Sequence, residues 1–287
     1  MLELAELTVT QHNTDHKIVL LLDDNKMTQH SILNSISQNT FYEEHLTLFL
    51  SKVLNQGDCF IDIGSNVGYF ALVASVLTGN EGLVIAFEPE RQNFKRIQAN
   101  IAINEFDNIV AYNMAVGDED RTASLFFNSD NDGGHALWNV GAHSFNEKSR
   151  QCTIKQEIQL TKLDSIIIKH PAPAIKAIKI DTEGFEHHAL IGATETILKH
   201  KVPFIAAEMN RLGLRQSGSR EDLLRMYMQQ LGYNTYFYFC DNNRNLVFRH
   251  LPQNQYLQPD NKELVCDLLF STDEHLMSYG FRIGDSV

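Results

Sequence analysis

The chain has 287 residues, 43% hydrophobic and 21% charged, with only six prolines. This is an ordinary soluble composition, enough for one sizeable core or a core plus a small appendage. The net charge of −12 argues against a general nucleic-acid or anionic-membrane binder, which needs a basic face, although an acidic total can still hide a local basic patch.

Residues 1–40 show no clear pattern and read as a small N-terminal addition to one domain spanning 41–287. From there, short apolar runs alternate with amphipathic segments. The strand candidates are "CFIDI" (59–63), "LVIAFEP" (83–89), "NIVAYNMAV" (108–116), "AIKID" (177–181) and "PFIAAEM" (203–209). Between the first three lie "VGYFALVASVLTG" and "RQNFKRIQANIAIN", which read as helices. In the second, Phe94, Ile97 and Ile101 recur at helical spacing, and Asn104 suits a C-terminal cap. After "AIKID", the segment "GFEHHALIGATETILKH" places Leu190, Ile191, Ile197 and Leu198 on one side of a helix. Strands alternating with helices of this length imply βαβ units and a parallel sheet.

Residues 117–161 break that rhythm. "ASLFF" and "TIKQEIQL" look like extra strands flanking a long polar loop. The loop over 128–147 is expected to move in the free protein and to order over a substrate, with Leu137 and Trp138 as cover. Residues 233–251 read as a hairpin turning at "DNNRN", and "LVCDLLFST" (264–272) as a last strand. Tyr236, Phe237, Tyr238 and Phe239 alternate like sheet-core residues. There is no internal repeat.

The stretch "FIDIGSNVGYF" (60–70) carries the chemistry. A strand interior is weakened by Gly64, and a first helical turn gains nothing from Gly68 unless something approaches closely. The pattern fits a strand ending at Asp62, a tight turn at Gly64, and a helix that starts at a ligand and offers free N–H groups to it. A side chain at Gly64 is expected to enter the ligand's space. A dinucleotide fingerprint would need a third glycine, absent at Asn66, Val67 and Ala71. Asp62 is unfavourable beside a pyrophosphate and suits a positively charged ligand, such as an adenosine with a sulfonium amino-acid tail. Glu88, at the end of the second strand and about 20 residues on, lies where an acid meets ribose hydroxyls.

"FIDIGSNVGYF", "IAFEPERQNFKRIQANIAIN", "NMAVGD" and "IKIDTEGFEHHALIGA" together resemble the FkbM family of S-adenosylmethionine-dependent methyltransferases, over about residues 41–210. The resemblance implies a Rossmann-like class I methyltransferase fold: α/β, a mostly parallel seven-stranded sheet with helices on both faces. It also implies a late antiparallel strand drawn from the C-terminal hairpin. Family members commonly methylate hydroxyl groups on sugars or natural-product scaffolds, so a small-molecule or glycan acceptor is implied. By the same resemblance Asp62, Gly64, Asn66 and Gly68 surround the methionine part of the donor and Glu88 holds the ribose. Asp118 contacts the adenine, and Tyr42 and Glu43 close over the donor. Asp181, Glu183 and Glu186 match the signature after the fourth strand, and Glu208 to Asn210 that after the fifth, which makes Asp181, Glu183 and Glu208 the catalytic candidates.

Simpler readings stand beside these. Asp62 could cap the next helix, and Asp181 and Glu183 could complement a helix dipole. Asp181, Glu208 and Asn210 end adjacent strands and could share a divalent cation, magnesium for instance, through hard oxygen ligands. Among twelve histidines, His135, His143, His187 and His188 are base candidates by pKa, though each is more simply a surface residue. N- or C-methylation, a donor-binding protein without catalysis, and a nicotinamide oxidoreductase are the competing functions; the missing glycine disfavours the last. Cys59, Cys152, Cys240 and Cys266 form no CxxC pair, which argues against zinc or a disulfide framework. The start "MLELAELTVTQH" lacks a leader pattern, and no apolar run approaches the roughly 20 residues of a membrane span. A cytoplasmic protein, with neither membrane nor nucleic acid as partner and open to homo-oligomerisation, is the expectation.

Overall fold

The computed structural model describes residues 1–11, 14–170 and 173–285. The unreadable N-terminal region forms an antiparallel hairpin, β1 (Leu2–Gln11) and β2 (Thr14–Asp23), followed by α1 (Met27–Ser37). Period-two alternation buries Leu7, Val9, Ile18, Leu20 and Leu22 in the same core as α2 (Glu44–Val53) and the first helix of the main sheet. An open sheet edge invites mispairing, and β2 is closed by asparagines instead of a third strand. Asn104 Oδ1 accepts from Val19 N (2.8 Å), Asn104 Nδ2 donates to Val19 O (2.7 Å), and Asn100 Oδ1 accepts from Leu21 N (2.7 Å). Asn104 does end its helix as expected, while its side chain serves the hairpin.

The main domain alternates β3 (Cys59–Ile63), α3 (Tyr69–Thr78), β4 (Leu83–Phe87), α4 (Arg91–Ile103) and β5 (Ile109–Tyr112). The apolar run 108–116 is not one strand. It breaks after Tyr112, and β6 (Ala115–Val116) joins a separate three-stranded sheet with β7 (Arg121–Phe126) and β8 (Lys155–Thr161), on either side of the short helix α5 (Glu147–Gln151). After α6 (Leu163–Ile167) the chain returns to the main sheet as β9 (Ile175–Ile180).

The helix expected after β9 is two: α7 (Glu186–Ile191) and α8 (Thr194–His200). The break falls at Gly192, where a Cβ would lie 1.8 Å from Gly117 O, so the chain there is fitted to a neighbouring turn. In consequence Leu190 and Ile197 are buried, while Ile191 and Leu198 face outward. Then come β10 (Phe204–Asn210), α9 (Arg211–Gln216), α10 (Glu221–Gln230), the hairpin β11 (Asn234–Cys240) and β12 (Leu246–His250), β13 (Val265–Ser271), α11 (Asp273–Ser278) and β14 (Ile283–Gly284).

The main sheet has nine strands in the order β14-β12-β11-β13-β10-β9-β3-β4-β5. β3, β4, β5, β9 and β10 are parallel, and β13 inserts antiparallel between β10 and β11. This is a class I methyltransferase sheet enlarged by two edge strands. The inserted strand is 265–271, and the hairpin lies outside it. Helices cover both faces: Phe60, Val84, Ala177 and Phe204 pack with α2 and α3, whereas Ile61, Ile85, Ile178 and Ile205 pack with α6, α7 and α8. Strand order reverses between β3 and β9, which opens the crevice at their carboxyl ends.

Candidate active site

The turn after β3 is hooked onto β4: Gly64 N and Ser65 N both donate to Phe87 O (2.9 Å each). Gly64 has φ +80°, and a Cβ there would sit 1.7 Å from the carbonyl oxygen of Asp181. The glycine is therefore required by the backbone of β9's end, and the expectation that its side chain would invade ligand space is corrected. Gly68 (φ +89°) starts α3, and its tight neighbours are Leu72 and Ile97, so what approaches closely there is α4. Asn66 (φ +49°) presents its backbone N–H to Glu88 Oε2 (2.9 Å), and its own Oδ1 is buried without a partner.

Glu88 ties two turns together, because Oε1 accepts from Glu90 N (2.8 Å). Burial pushes its carboxyl up to about 8. It lines one side of a cavity together with Tyr42, Glu43, Gly64 and Asn66. Phe87, Met114, Ala115, Val116 and Leu125 form an apolar wall. Asp118 is not on this wall. Gly117 N bonds to Thr161 O, which pulls the chain into the small sheet, and Asp118 pairs with His188 Nδ1 at 3.0 Å.

The N-terminal addition supplies part of the roof. Thr28 and Ile32 of α1 line the cavity beside Gly133, His135, Ala136 and Leu137. Asp132 joins the two segments, accepting from Thr28 N (2.8 Å) and Gln29 Nε2 (3.0 Å). The long loop thus carries its own bonding, and Trp138 is not a free cover. Its indole is buried and donates to Glu183 O at 2.6 Å.

Asp62 lies behind the cavity, not in it: its side chain is fully buried and neither carboxylate oxygen has a hydrogen-bond partner. The register explains its neighbour. Asp62 pairs with Lys179 across β3 and β9, and since Ile178 and Ile180 fill the opposite face, Lys179 must share the face of Asp62. Lys179 Nζ lies 3.6 Å from Asp62 Oδ1 and 3.2 Å from Asp181 Oδ2, and donates to Gly64 O at 2.9 Å. Burial works against this ammonium, but Asp181 and Asp62 outweigh it and hold its pKa above the usual lysine range. Burial likewise raises Asp62, with Lys179 offsetting part of the rise. Lys179 was missed at the sequence level. The available signal was a charged residue in a buried strand, "AIKID".

Asp181, Glu183 and Glu208 bring carboxylate oxygens within 4.8 Å of one another on the cavity floor. Burial, then Asp181, pushes Glu183 up to about 8, and burial, then Asp181 and Glu183, raises Glu208 well above the carboxylate range. Glu43, which also faces this floor, is pushed to about 7 by burial and then by Asp267. Glu186 leaves the cluster, because Oε1 is spent on Thr182 N, Thr182 Oγ1 and Gly184 N of its own turn.

Asn210 does not fit as a cation ligand. Its Oδ1 accepts from Gly213 N (2.9 Å) and its amide nitrogen donates to Glu183 Oε2 (2.9 Å). The proposed set of Asp181, Glu208 and Asn210 therefore fails, and Asp181 already has the ammonium of Lys179 as its cation. Of the four candidate histidines, His135 reaches the cavity, with Nδ1 accepting from Asn128 N, and burial lowers its pKa. His187 bonds Ser219 and His188 bonds Asp118 and Ser217, outside the floor, while His143 stands at the rim of an adjoining groove.

Residues 62–235 match the family model described as the methyltransferase FkbM domain. The chain belongs to the FkbM methyltransferase family. Curated Methyltransferase 1 of Beauveria bassiana is 24% identical to this FkbM chain over 163 residues, which span 52% of the chain and 65% of that relative, so about a third of the relative lies outside the match. A crystal structure of methyltransferase FkbM from Methylobacillus flagellatus shares 17% identity at a TM-score of 0.43, covering 84% of this chain and 53% of that one. A Streptococcus mutans methyltransferase solved with S-adenosylhomocysteine shares 13% at a TM-score of 0.44, covering 78% and 94%. Among the described residues of this FkbM protein, no helix is long and apolar enough to cross a membrane.

Proposed function

We propose that the protein transfers a methyl group from S-adenosylmethionine to a hydroxyl of a small-molecule acceptor, a sugar or natural-product scaffold, with Asp181 as the base. The observation that carries this reading is the meeting, in one cavity, of the Gly64–Gly68 turn hooked to Glu88 and the carboxylates of Asp181, Glu183 and Glu208. When bound, S-adenosylmethionine supplies a methyl group on a positively charged sulfur. Glu88 still has lone pairs free for two vicinal hydroxyls after its two backbone bonds. The unpartnered Oδ1 of Asn66 offers a further acceptor, and the wall of Phe87, Met114 and Val116 suits a flat base. Asp62 contributes indirectly, by neutralising Lys179 behind the turn.

Asp181 takes the proton of the acceptor hydroxyl as the oxygen forms its bond to the methyl carbon and the carbon–sulfur bond breaks. Lys179 orients Asp181 from one side, and Asn210 orients Glu183 beside it. The roof of α1 and residues 133–137 covers the donor side of the cavity. Four unpaired cysteines accord with a cytoplasmic setting, which belongs to the same proposal.

The test combines calorimetry with S-adenosylmethionine and mass spectrometry of methylated products from cell extract. Asp181→Asn is expected to keep donor affinity within a few-fold and to lower turnover by about 100-fold, the scale of losing a positioned general base. Full activity in that variant would remove the assignment. Turnover is expected to survive a chelator, and loss that magnesium restores would favour the carboxylate trio as a metal centre instead.

A further inference from the structure

Glu183 and Glu208 line two spaces. One is the roofed cavity, and the other is an open groove of about 540 Å³ that runs from these carboxyls to the surface. Its walls carry an unusual amount of exposed apolar surface for one place: Phe145 is 81% exposed, Met27 62% and Val265 42%. Large side chains stand this far out of the core singly without needing explanation, but three around one groove mark a binding surface. Between them lie polar groups, His143, Asn146 and Asn128.

The lining of the groove also holds acids and no cation. Its ionisable lining, His143 apart, consists of Asp130, Glu183 and Glu208, with no lysine or arginine among the described lining residues. Of the flanking cations, Arg150 is engaged with the carbonyls of Gly141, His143 and Ser144, and Lys26, Arg96 and Lys148 line a neighbouring groove that meets this one at Met27, Asn128, Asp130 and Asn131 without belonging to its lining. Burial holds Glu183 and Glu208 toward their protonated, neutral forms, which suit a neutral polar group, whereas an anionic group entering here would lose its water with no cation in the lining to offset that cost.

We infer that this groove is the acceptor channel, and that it selects a non-anionic small molecule with an apolar body, its hydroxyl or amine leading toward Glu183 and Glu208. The inference rests on the methyltransferase reading and deepens it, by setting phosphorylated and carboxylated acceptors, and nucleic acid with them, outside the substrate class. The apolar body lies on Phe145, Met27 and Val265, while His143 and the asparagines bond its polar edge.

The single tryptophan of the chain, Trp138, lines the groove, so its emission, excited beyond the tyrosine band and with the donor site already filled, reports on the groove's occupant. Three transparent probes of one shape separate charge from size: 2-cyclohexylethanol, 2-cyclohexylethylamine and cyclohexylacetate. With S-adenosylhomocysteine present, the alcohol and the amine should shift Trp138 emission at concentrations at least about tenfold below those the carboxylate needs. Phe145→Ser, at a site too exposed to matter for folding, should weaken the alcohol several-fold and leave S-adenosylhomocysteine affinity unchanged by calorimetry. Equal affinities for the three probes, or unaltered alcohol binding in Phe145→Ser, would overturn the channel. Failure to bind S-adenosylhomocysteine in the first titration sinks the donor reading and takes this inference with it; binding there with no charge discrimination sinks the channel alone.

Discussion

Lys179 is the residue on which the site turns, because its ammonium meets Gly64 O, Asp181 and Asp62 at 2.9, 3.2 and 3.6 Å. Lys179→Met removes the cation that Asp62 and Asp181 share and leaves Asp62, which is fully buried, uncompensated. Breaking such a pair from one side costs about 3–5 kcal/mol, so chemical denaturation should show a loss of that size. Pairing it with Asp62→Leu should recover most of the stability, since an apolar pair of similar volume satisfies the interior. Turnover should stay low in the double variant, because Asp181 has still lost its anchor. Recovery of turnover along with stability would mean that Lys179 serves folding only. Glu88→Ala tests the other side of the cavity. A neutral hydrogen bond is worth about 0.5–1.5 kcal/mol net, and Glu88 has one to offer each of two ribose hydroxyls, so S-adenosylmethionine affinity should fall about tenfold by calorimetry. Unaltered binding would refute the ribose assignment.

At the level of elements, the roof is built from two pieces far apart in the chain, α1 and the segment after β7. Asp132 is 6% exposed and holds both through Thr28 N and Gln29 Nε2. Asp132→Ala leaves these donors without a buried partner, at about 1–3 kcal/mol for the group left unmade. Hydrogen exchange should then quicken across residues 128–137 and α1 together, and S-adenosylhomocysteine should dissociate faster. Exchange that quickens in the loop alone would show that α1 is fixed by the hairpin core and not by the loop. The expectation of a loop that simply moves overlooked this bond, since a polar stretch in sequence gives no sign of which polar groups are already satisfied.

Across the whole molecule, several buried carboxyls titrate high for one reason, removal from water at the carboxyl ends of the strands. Glu88 and Glu183 sit at about 8, Glu43 at about 7. A carboxyl with a raised folded pKa binds more protons in the native state than in the unfolded chain. Its stabilisation is therefore complete below the unfolded value and is lost as pH rises through the folded one. The half-buried histidines His135 and His187 are lowered and act oppositely, but only around and below their ordinary value of 6.5. Between pH 7 and 9 His45 and the thiols of Cys59, Cys240 and Cys266, all raised, act in the same direction as the carboxyls, so the melting temperature should fall across that interval. A flat or rising profile there would show that Glu88 and Glu183 are ionised throughout.

What the chain's local order determined is what neighbours along a strand or turn can dictate. Alternating apolar runs placed β3, β4, β9 and β10, the left-handed demand at Gly64 and Gly68 placed the turn, and Glu88 followed at the next strand end. Those features depend on a few adjacent residues and survive any arrangement of the rest. Tertiary structure decided which side chains meet. The register of β3 on β9 joined Asp62 to Lys179, the small sheet drew Asp118 away to His188, and the turn into α9 consumed the carbonyl of Asn210. The same packing brought Thr28 and Ile32 from the N-terminus to the roof, and carried Glu183 and Glu208 to the boundary of cavity and groove. Each of these is a partnership between segments tens of residues apart, fixed by strand pairing and burial, and a polar residue's partner has no local signature when it is chosen by the fold.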